Sequence, residues 1–440
     1  MVSTHVLNPS GKGLSSMNSA DSRRRKRRSF GFLAGSVVGG SAVSMAFQMI
    51  GGVLIGRLVA PATLGLFAGI GLVLGYVPLL QLGVLNGLNR ELPYFVGKGD
   101  RQRVTQLAAA AQAWALLVGG IVCAALLGVA GWQLAHGELW KAAGWFTNAI
   151  LAVLLFYNGY LQTTYRTSQD FARLALAGVL QSSVGLALIA SVAVLNFYGL
   201  CLRALLAATA GALILFWWRP VRIGPRWGAE PLKHLLRIGV PIFVVGQANT
   251  LWAVANRTLV LKLAGTEGIG LYSMAVLAGT AMALLPTAVS QIVYPRMAEH
   301  YGRMGNAADL FRIALRPMIV TAVALVPVIA AAWLLAGPAV RLIMPAYVDA
   351  VPAIQWTLPI AIVSSFGPAN NVFNVVRRQR LYLVAILVGI VTYGVSLLWL
   401  VHDSVTLAAF PQAMLIGQAV YMATCYAFIW WLLRREMRET

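Results

Sequence analysis

Acidic residues are scarce in this chain and confined to its margins. Of 440 residues, 13 are Asp or Glu against 34 Lys or Arg, and every carboxylate falls outside the long apolar runs. An exporter driven by protons or sodium ions ordinarily keeps a carboxylate within the membrane to titrate or to hold the ion, so that mode of coupling has no visible seat. Cysteine is equally sparse. Cys123, Cys201 and Cys425 are odd in number and far apart, a pattern that suggests neither a disulfide framework nor a Cys/His metal centre. There is no P-loop and no nucleophile elbow, and no loop much exceeds about 20 residues, which leaves an ATPase or membrane glycosyltransferase no room for its machinery. No cofactor and no catalytic residue is expected.

What the chain has in excess is apolar surface. With 59% hydrophobic and 11% charged residues and a mean hydropathy of +0.75, no water-soluble fold could bury it. Runs near the ~20 residues needed to cross ~30 Å of hydrocarbon occur at 30–56, 64–88, 104–131, 142–163, 174–195 and 199–218. Six more lie at 237–261, 268–293, 313–336, 350–373, 381–401 and 405–433. The expectation is an all-α polytopic membrane protein with about twelve transmembrane helices.

Numbering the spans in order places about 28 of the 34 basic residues on one face: the amino-terminal tail, the loops 90–103, 166–173, 219–237, 296–316 and 377–380, and the tail 434–438. Loops retained in the cytoplasm are the ones rich in Lys and Arg, so both termini are expected there. The net charge of +21 is then largely topology. The run Arg23 to Arg28, which in a soluble chain would suggest a nucleic-acid signal, reads here as a topological anchor; no nucleic-acid partner is expected. The first apolar run is too long for a signal-peptide core and reads as a retained anchor. The expected organisation is a disordered basic tail over 1–28, an amino-terminal lobe over 29–218, a cytoplasmic linker over 219–233, a carboxy-terminal lobe over 234–433 and a short tail over 434–440.

The two lobes repeat one another. VLIGRLVAPATLGLF from Val53 aligns with TLVLKLAGTEGIGLY from Thr258 at an offset of about 205 residues, so Leu54, Leu58, Gly65 and Leu66 recur as Leu259, Leu263, Gly270 and Leu271. Arg57 falls on Lys262 and Phe67 on Tyr272. Gly97-Lys98 falls on Gly302-Arg303 at the same offset. Six spans per copy bring the second copy in with the same orientation, giving two parallel six-helix lobes around a central cleft.

Basic residues kept within or beside hydrocarbon point to an anion. Arg257, about 30 Å along span seven from Arg237 at ~1.5 Å per residue, is the deepest, with Arg57 and Lys262 nearer the span ends. Asn249, Thr250, Asn256 and Arg257 share an arc of about 100° on that span. Span four offers Asn158 and Gln162, span ten Asn370 and Asn374, span two ends on Arg90, and Gln48 lies midway along span one. Amides both donate and accept, which suits sugar hydroxyls and equally suits bonds between helices.

The stretch GRLVAPATLGLFAGIGLVLGYVPLLQLGVLNGLNRELPYFVGKGD (Gly56 to Asp100), with ANRTLVLKLAGTEGIGLYSMAVLAG and VYPRMAEHYG in the second half, resembles polysaccharide biosynthesis proteins of the O-antigen flippase type. The resemblance implies a MATE/MOP-like fold and a bacterial inner-membrane protein that moves undecaprenyl-pyrophosphate-linked oligosaccharide between leaflets, with glycan polymerase machinery as a candidate partner. Where such proteins often carry an acid before the span-seven arginine, this chain has Asn256, which argues against carboxylate-dependent coupling. The alternatives are a small-molecule or drug antiporter of the same superfamily, set back by the cationic interior, and a glycan polymerase or ligase, set back by the short loops.

Overall fold

The computed structural model describes the backbone of residues 19–304, 307–376 and 378–439, and side chains over 39–294, 296–297, 299–300, 310–376 and 378–434. Among the described residues every regular element is a helix. Eleven helical stretches are long and apolar enough to cross a bilayer. One of them, Ala229–Tyr294, has 66 residues, about 100 Å at ~1.5 Å per residue, which is more than one crossing can use. It is broken at Gly265, whose φ of 74° and ψ of −171° suit a residue without a Cβ. The break separates span seven (229–264) from span eight (266–304), and the count becomes twelve.

The remaining crossings are span one, Ser19–Leu58; span two, Pro61–Gln81, continued by Val84–Lys98; span three, Arg101–Ala135; span four, Leu139–Thr167; span five, Phe171–Leu195; span six, Phe197–Trp217; span nine, Ala307–Ile343; span eleven, Gln379–Leu400; and span twelve, Ala409–Glu439. Span ten is a chain of short pieces from Pro345 to Val375. Its interruptions coincide with Pro359 and Pro368, each lacking the N–H a continuous helix needs. Span two is likewise broken, at Leu82 (φ 52°) and Gly83 (φ 86°), which the unbroken hydropathy of that run concealed.

Residues 1–18 of the expected tail lie outside the described residues, but 19–28 belong to the helix of span one: Arg and Lys are good helix formers, and an apolar helix follows directly. Residues 434–439 similarly prolong span twelve. The linker over 219–233 ends early, since span seven begins at Ala229, and it lies on span three: the Arg226 amide donates to the Ala109 carbonyl at 3.3 Å, and Trp227 tilts over Trp114.

The lobes meet where both backbones lack side chains. A Cβ on Gly65 would fall onto the Thr266 carbonyl oxygen, and one on Gly270 would fall onto that of Pro61. The numbers reveal the symmetry: Thr266 is Pro61 advanced by 205 residues and Gly270 is Gly65 advanced by the same amount. A contact that maps onto itself when its partners are exchanged is an isologous two-fold contact, and because six spans per copy bring the second in with the same orientation, the lobes are parallel and related by an axis near these glycines. Small residues permit this close packing within a membrane, where no hydrophobic effect pulls helices together.

Candidate functional site

Between the lobes, at the end remote from the basic face, the glycine crossing forms a roof. It is reinforced where the Tyr347 hydroxyl of span ten donates to the Val59 carbonyl, just past the end of span one, at 3.0 Å, and where the Met344 side chain closes over Gly56. From this roof the span two–span seven seam stays shut to the basic face. Tyr76 and Thr258 hydroxyls bond at 2.7 Å, Gly239 lies against the Gly83 carbonyl, and Gly87 lies against that of Leu235. Glu91 and His234 then bond at 2.9 Å, and Arg103 pairs with Glu230 at 3.4 Å. Glu91, near the end of an apolar run, is therefore buried in the seam, 8% exposed, with a histidine partner from the other lobe.

Beneath the roof, span seven turns an exposed stripe of small and polar residues into the space between the lobes: Gly246, Asn249, Thr250 and Ala253. Arg257 ends this stripe one turn further in, half-buried, and its Nε has no partner. Gln48 of span one lines a separate cavity of about 350 Å³ bounded by spans one, five and eight. This cavity also holds Ser41 and Ser44. In the carboxy-terminal lobe a second polar cavity of about 320 Å³ is lined by Asn370, Asn371 and Asn374 of span ten, Ser290 of span eight and Tyr382 and Tyr421 of spans eleven and twelve. A relay of amides and phenols reaches it from the stripe: Asn249 Nδ2 to the Tyr382 hydroxyl at 3.5 Å, Tyr421 to Tyr382 at 2.9 Å, and Asn370 Nδ2 to Tyr421 at 2.8 Å. The Asn370 Oδ1 is buried and unpartnered.

Other sequence candidates are placed differently. Asn256 is 5% exposed and both ends of its amide are taken: Nδ2 donates to the Tyr272 hydroxyl at 2.8 Å, and Oδ1 accepts from Tyr393 at 2.8 Å. It serves the packing of spans seven, eight and eleven. Arg57 shares its exposed face with Val43, Ala46, Ile50 and Leu54, spaced three or four apart, an apolar stripe that suits lipid. Lys262 lies about five turns from exposed Val244 on the same side of span seven. Both are thus carried to the outer rim, where long basic chains reach the interface, and neither joins Arg257. Asn158 and Gln162 remain half-buried within the amino-terminal lobe, the Asn158 Oδ1 unpartnered. Arg90 is exposed at the basic face, 4.0 Å from Glu91.

Arg203 of span six escaped the sequence reading. Its Nε donates to the Gly185 carbonyl at 2.7 Å, and its guanidinium occupies the space beside Gly51, where a Cβ would lie 3.2 Å from Nη2. A signal existed in the repeat: Gly51 is the counterpart of Asn256 at the 205-residue offset, and a glycine opposite a polar residue invites a group from elsewhere.

Two lobes of six spans, roofed where they cross, are a fold shared with solved membrane transporters. The backbone superposes on an inward-facing multidrug-resistance transporter of the MATE family with a TM-score of 0.74 at 16% identity, covering 90% of this chain and 96% of that one. The outward-facing conformation of such a transporter gives 0.68 at 16% identity over 93% and 97%. A MOP-superfamily transporter from Pyrococcus furiosus, described as having a binding pocket of reverse polarity, gives 0.64 at 17% identity over 91% and 94%. No curated protein matches the chain. Residues 101–352, more than half of the sequence, match the family of polysaccharide biosynthesis proteins, and the chain belongs to that family.

Proposed function

We propose that this protein is a flippase for a lipid-linked oligosaccharide, taking an undecaprenyl-pyrophosphate-linked repeat unit from the cytoplasmic to the periplasmic leaflet of a bacterial inner membrane by alternating access. The basic face is the cytoplasmic one in this reading. The observation that carries it is Arg257, a half-buried cation with an unpartnered Nε at the head of a polar stripe, in an interior where no described carboxylate competes for it. A guanidinium held there favours a compact, multiply charged anion such as pyrophosphate. The amides and phenols running from Asn249 to Asn370 suit the hydroxyls of the attached sugars, and the prenyl chain stays in lipid.

The family supports the substrate class, and the fold supplies two lobes that can rock about the glycine axis. Moving each negative charge outward gains about 2.3 kcal/mol per 100 mV of inside-negative potential, so the field itself helps drive the step. The test is the loss of the cation. In cells dependent on this gene, Arg257→Ala should leave the protein inserted while lipid-linked glycan accumulates on the cytoplasmic side, and Arg257→Lys should keep part of the flux. Normal surface polymer in Arg257→Ala at native expression would sink the assignment.

A further inference from the structure

A cavity of about 690 Å³ opens on the carboxy-terminal lobe at the basic face, away from the cleft between the lobes. Its walls are Pro241 and Val244 of span seven, Leu381 and Leu383 of span eleven and Trp431 of span twelve, and its mouth carries Arg378 and Arg380. Span seven fixes where it faces. Val244 lies half a turn around the helix from Leu235, which packs on Gly87 of span two, so the cavity is on the outer flank of span seven. The exposure of Val240 and Val244, 40% and 47%, agrees with a surface turned toward hydrocarbon.

The mouth is chemically distinct from the walls. Arg378 and Arg380 are both exposed, and neither has a carboxylate partner among the described residues. They flank the first residue of span eleven, Gln379, so the positive dipole end of that helix adds to their charge. Trp430 and Trp431 are about half-exposed, and Arg434 stacks over the Trp430 ring at 3.4 Å, the arrangement of side chains at a headgroup boundary. A cationic rim above an apolar slot between helices matches the two ends of one molecule.

We propose that this cavity is a binding site for an acidic phospholipid of the adjoining leaflet, with the phosphate between Arg378 and Arg380 and one acyl chain laid along Pro241, Val244 and Leu381 against Trp431. Charge complementarity decides the headgroup: two unpaired guanidinium groups draw an anionic lipid over a zwitterionic one. The lining decides against the glycan carrier. Apart from Gln379 and the two arginines it offers aliphatic and indole surface, without the amides and phenols that line the cavities between and within the lobes. The bound lipid bridges the starts of spans seven and eleven with the end of span twelve. This inference is independent of what the central cleft transports.

The test is native mass spectrometry of the purified full-length protein titrated with phosphatidylglycerol or phosphatidylcholine of the same acyl composition. Phosphatidylglycerol should be retained several-fold more strongly, and the preference should fall to near parity in Arg378→Gln/Arg380→Gln. Val244→Trp, which keeps both arginines and fills the slot, should also reduce retention. Arg166→Gln/Arg222→Gln, which removes the same charge from exposed positions of the other lobe and of the linker, should leave the preference intact. The proposal is overturned if the preference survives in Arg378→Gln/Arg380→Gln, or if the control pair abolishes it equally, since the attraction would then be general. Displacement by millimolar inorganic phosphate would assign the site to the free ion. Displacement by equimolar undecaprenyl pyrophosphate would make it a port for the carrier; either result also overturns the proposal.

Discussion

Spans one and seven hold equivalent places in the two lobes, yet their polar chemistry is opposite. In the carboxy-terminal lobe Asn256 reaches Tyr272 and Tyr393, and all three groups are buried and satisfied. At the same places in the amino-terminal lobe stand Gly51 and Phe67, so the amide and its phenol partner have disappeared together. The space beside Gly51 is taken by Arg203, anchored on the Gly185 carbonyl. A buried hydrogen-bonded pair is kept or lost as a unit, because one member alone leaves an unsatisfied group in hydrocarbon. The repeat therefore keeps its geometry along the glycine axis while each lobe solves its interior separately, the amino-terminal one with Arg203 beside Gly51 and the carboxy-terminal one with the Asn256 bonds and, next to them, Arg257.

The largest effect is expected where the comparison is symmetric. Gly270→Leu drives a side chain into the Pro61 carbonyl and should destabilise the protein by at least about 3 kcal/mol, read as loss of a monodisperse species in detergent. Gly65→Leu should match it, whereas Gly120→Ala, with open space around its Cβ, should be neutral or slightly stabilising. Unequal damage at Gly65 and Gly270 would break the two-fold description.

Next comes the asymmetric pair. Asn256→Ala strands two buried phenols at about 1–3 kcal/mol each, and Tyr272→Phe in the same chain should recover part of that loss. Thermal unfolding of the two single variants and the double gives the coupling directly; strict additivity would mean that the bond does not hold the spans together.

The reverse transplant, Gly51→Asn, should be milder, about 1–2 kcal/mol, since the new side chain meets Arg203 at close range and finds Phe67 without a hydroxyl. Combining it with Arg203→Ala relieves the crowding and should raise the melting temperature above that of Gly51→Asn alone. An unchanged melting temperature would place Arg203 away from Gly51.

The smallest effects belong to the rim. Arg57→Gln and Lys262→Gln sit at matched outer positions and should each change stability by less than about 0.5 kcal/mol and leave glycan export near normal. A transport defect as deep as that of Arg257→Ala in either would return them to the site.

The number of crossings, their order, the basic face and the 205-residue repeat are all readable from the sequence. Each rests on a local quantity: the length of an apolar run, the charge of a loop, the spacing of glycines. Even the break at Gly265 was visible as the gap between runs seven and eight. The breaks in spans two and ten were less so, because Leu82 lies in an uninterrupted apolar stretch and hydropathy does not report φ.

Side-chain destinations could not be read that way. Periodicity put Asn249, Asn256 and Arg257 on one arc, but an arc does not say what faces it. Tertiary contact decided that Asn249 meets Tyr382, that Asn256 is consumed by two tyrosines from other spans, and that Arg257 alone of the four basic candidates has a buried, unpartnered guanidinium nitrogen. It also brought Arg203 to Gly51 across 152 residues of sequence. Along a single helix the sequence sets the angle between side chains. Which neighbour, lipid or cavity meets each angle depends on how twelve helices are rotated against one another, and that rotation is determined by close contacts such as Gly65 on Gly270, which exist only once both lobes have folded.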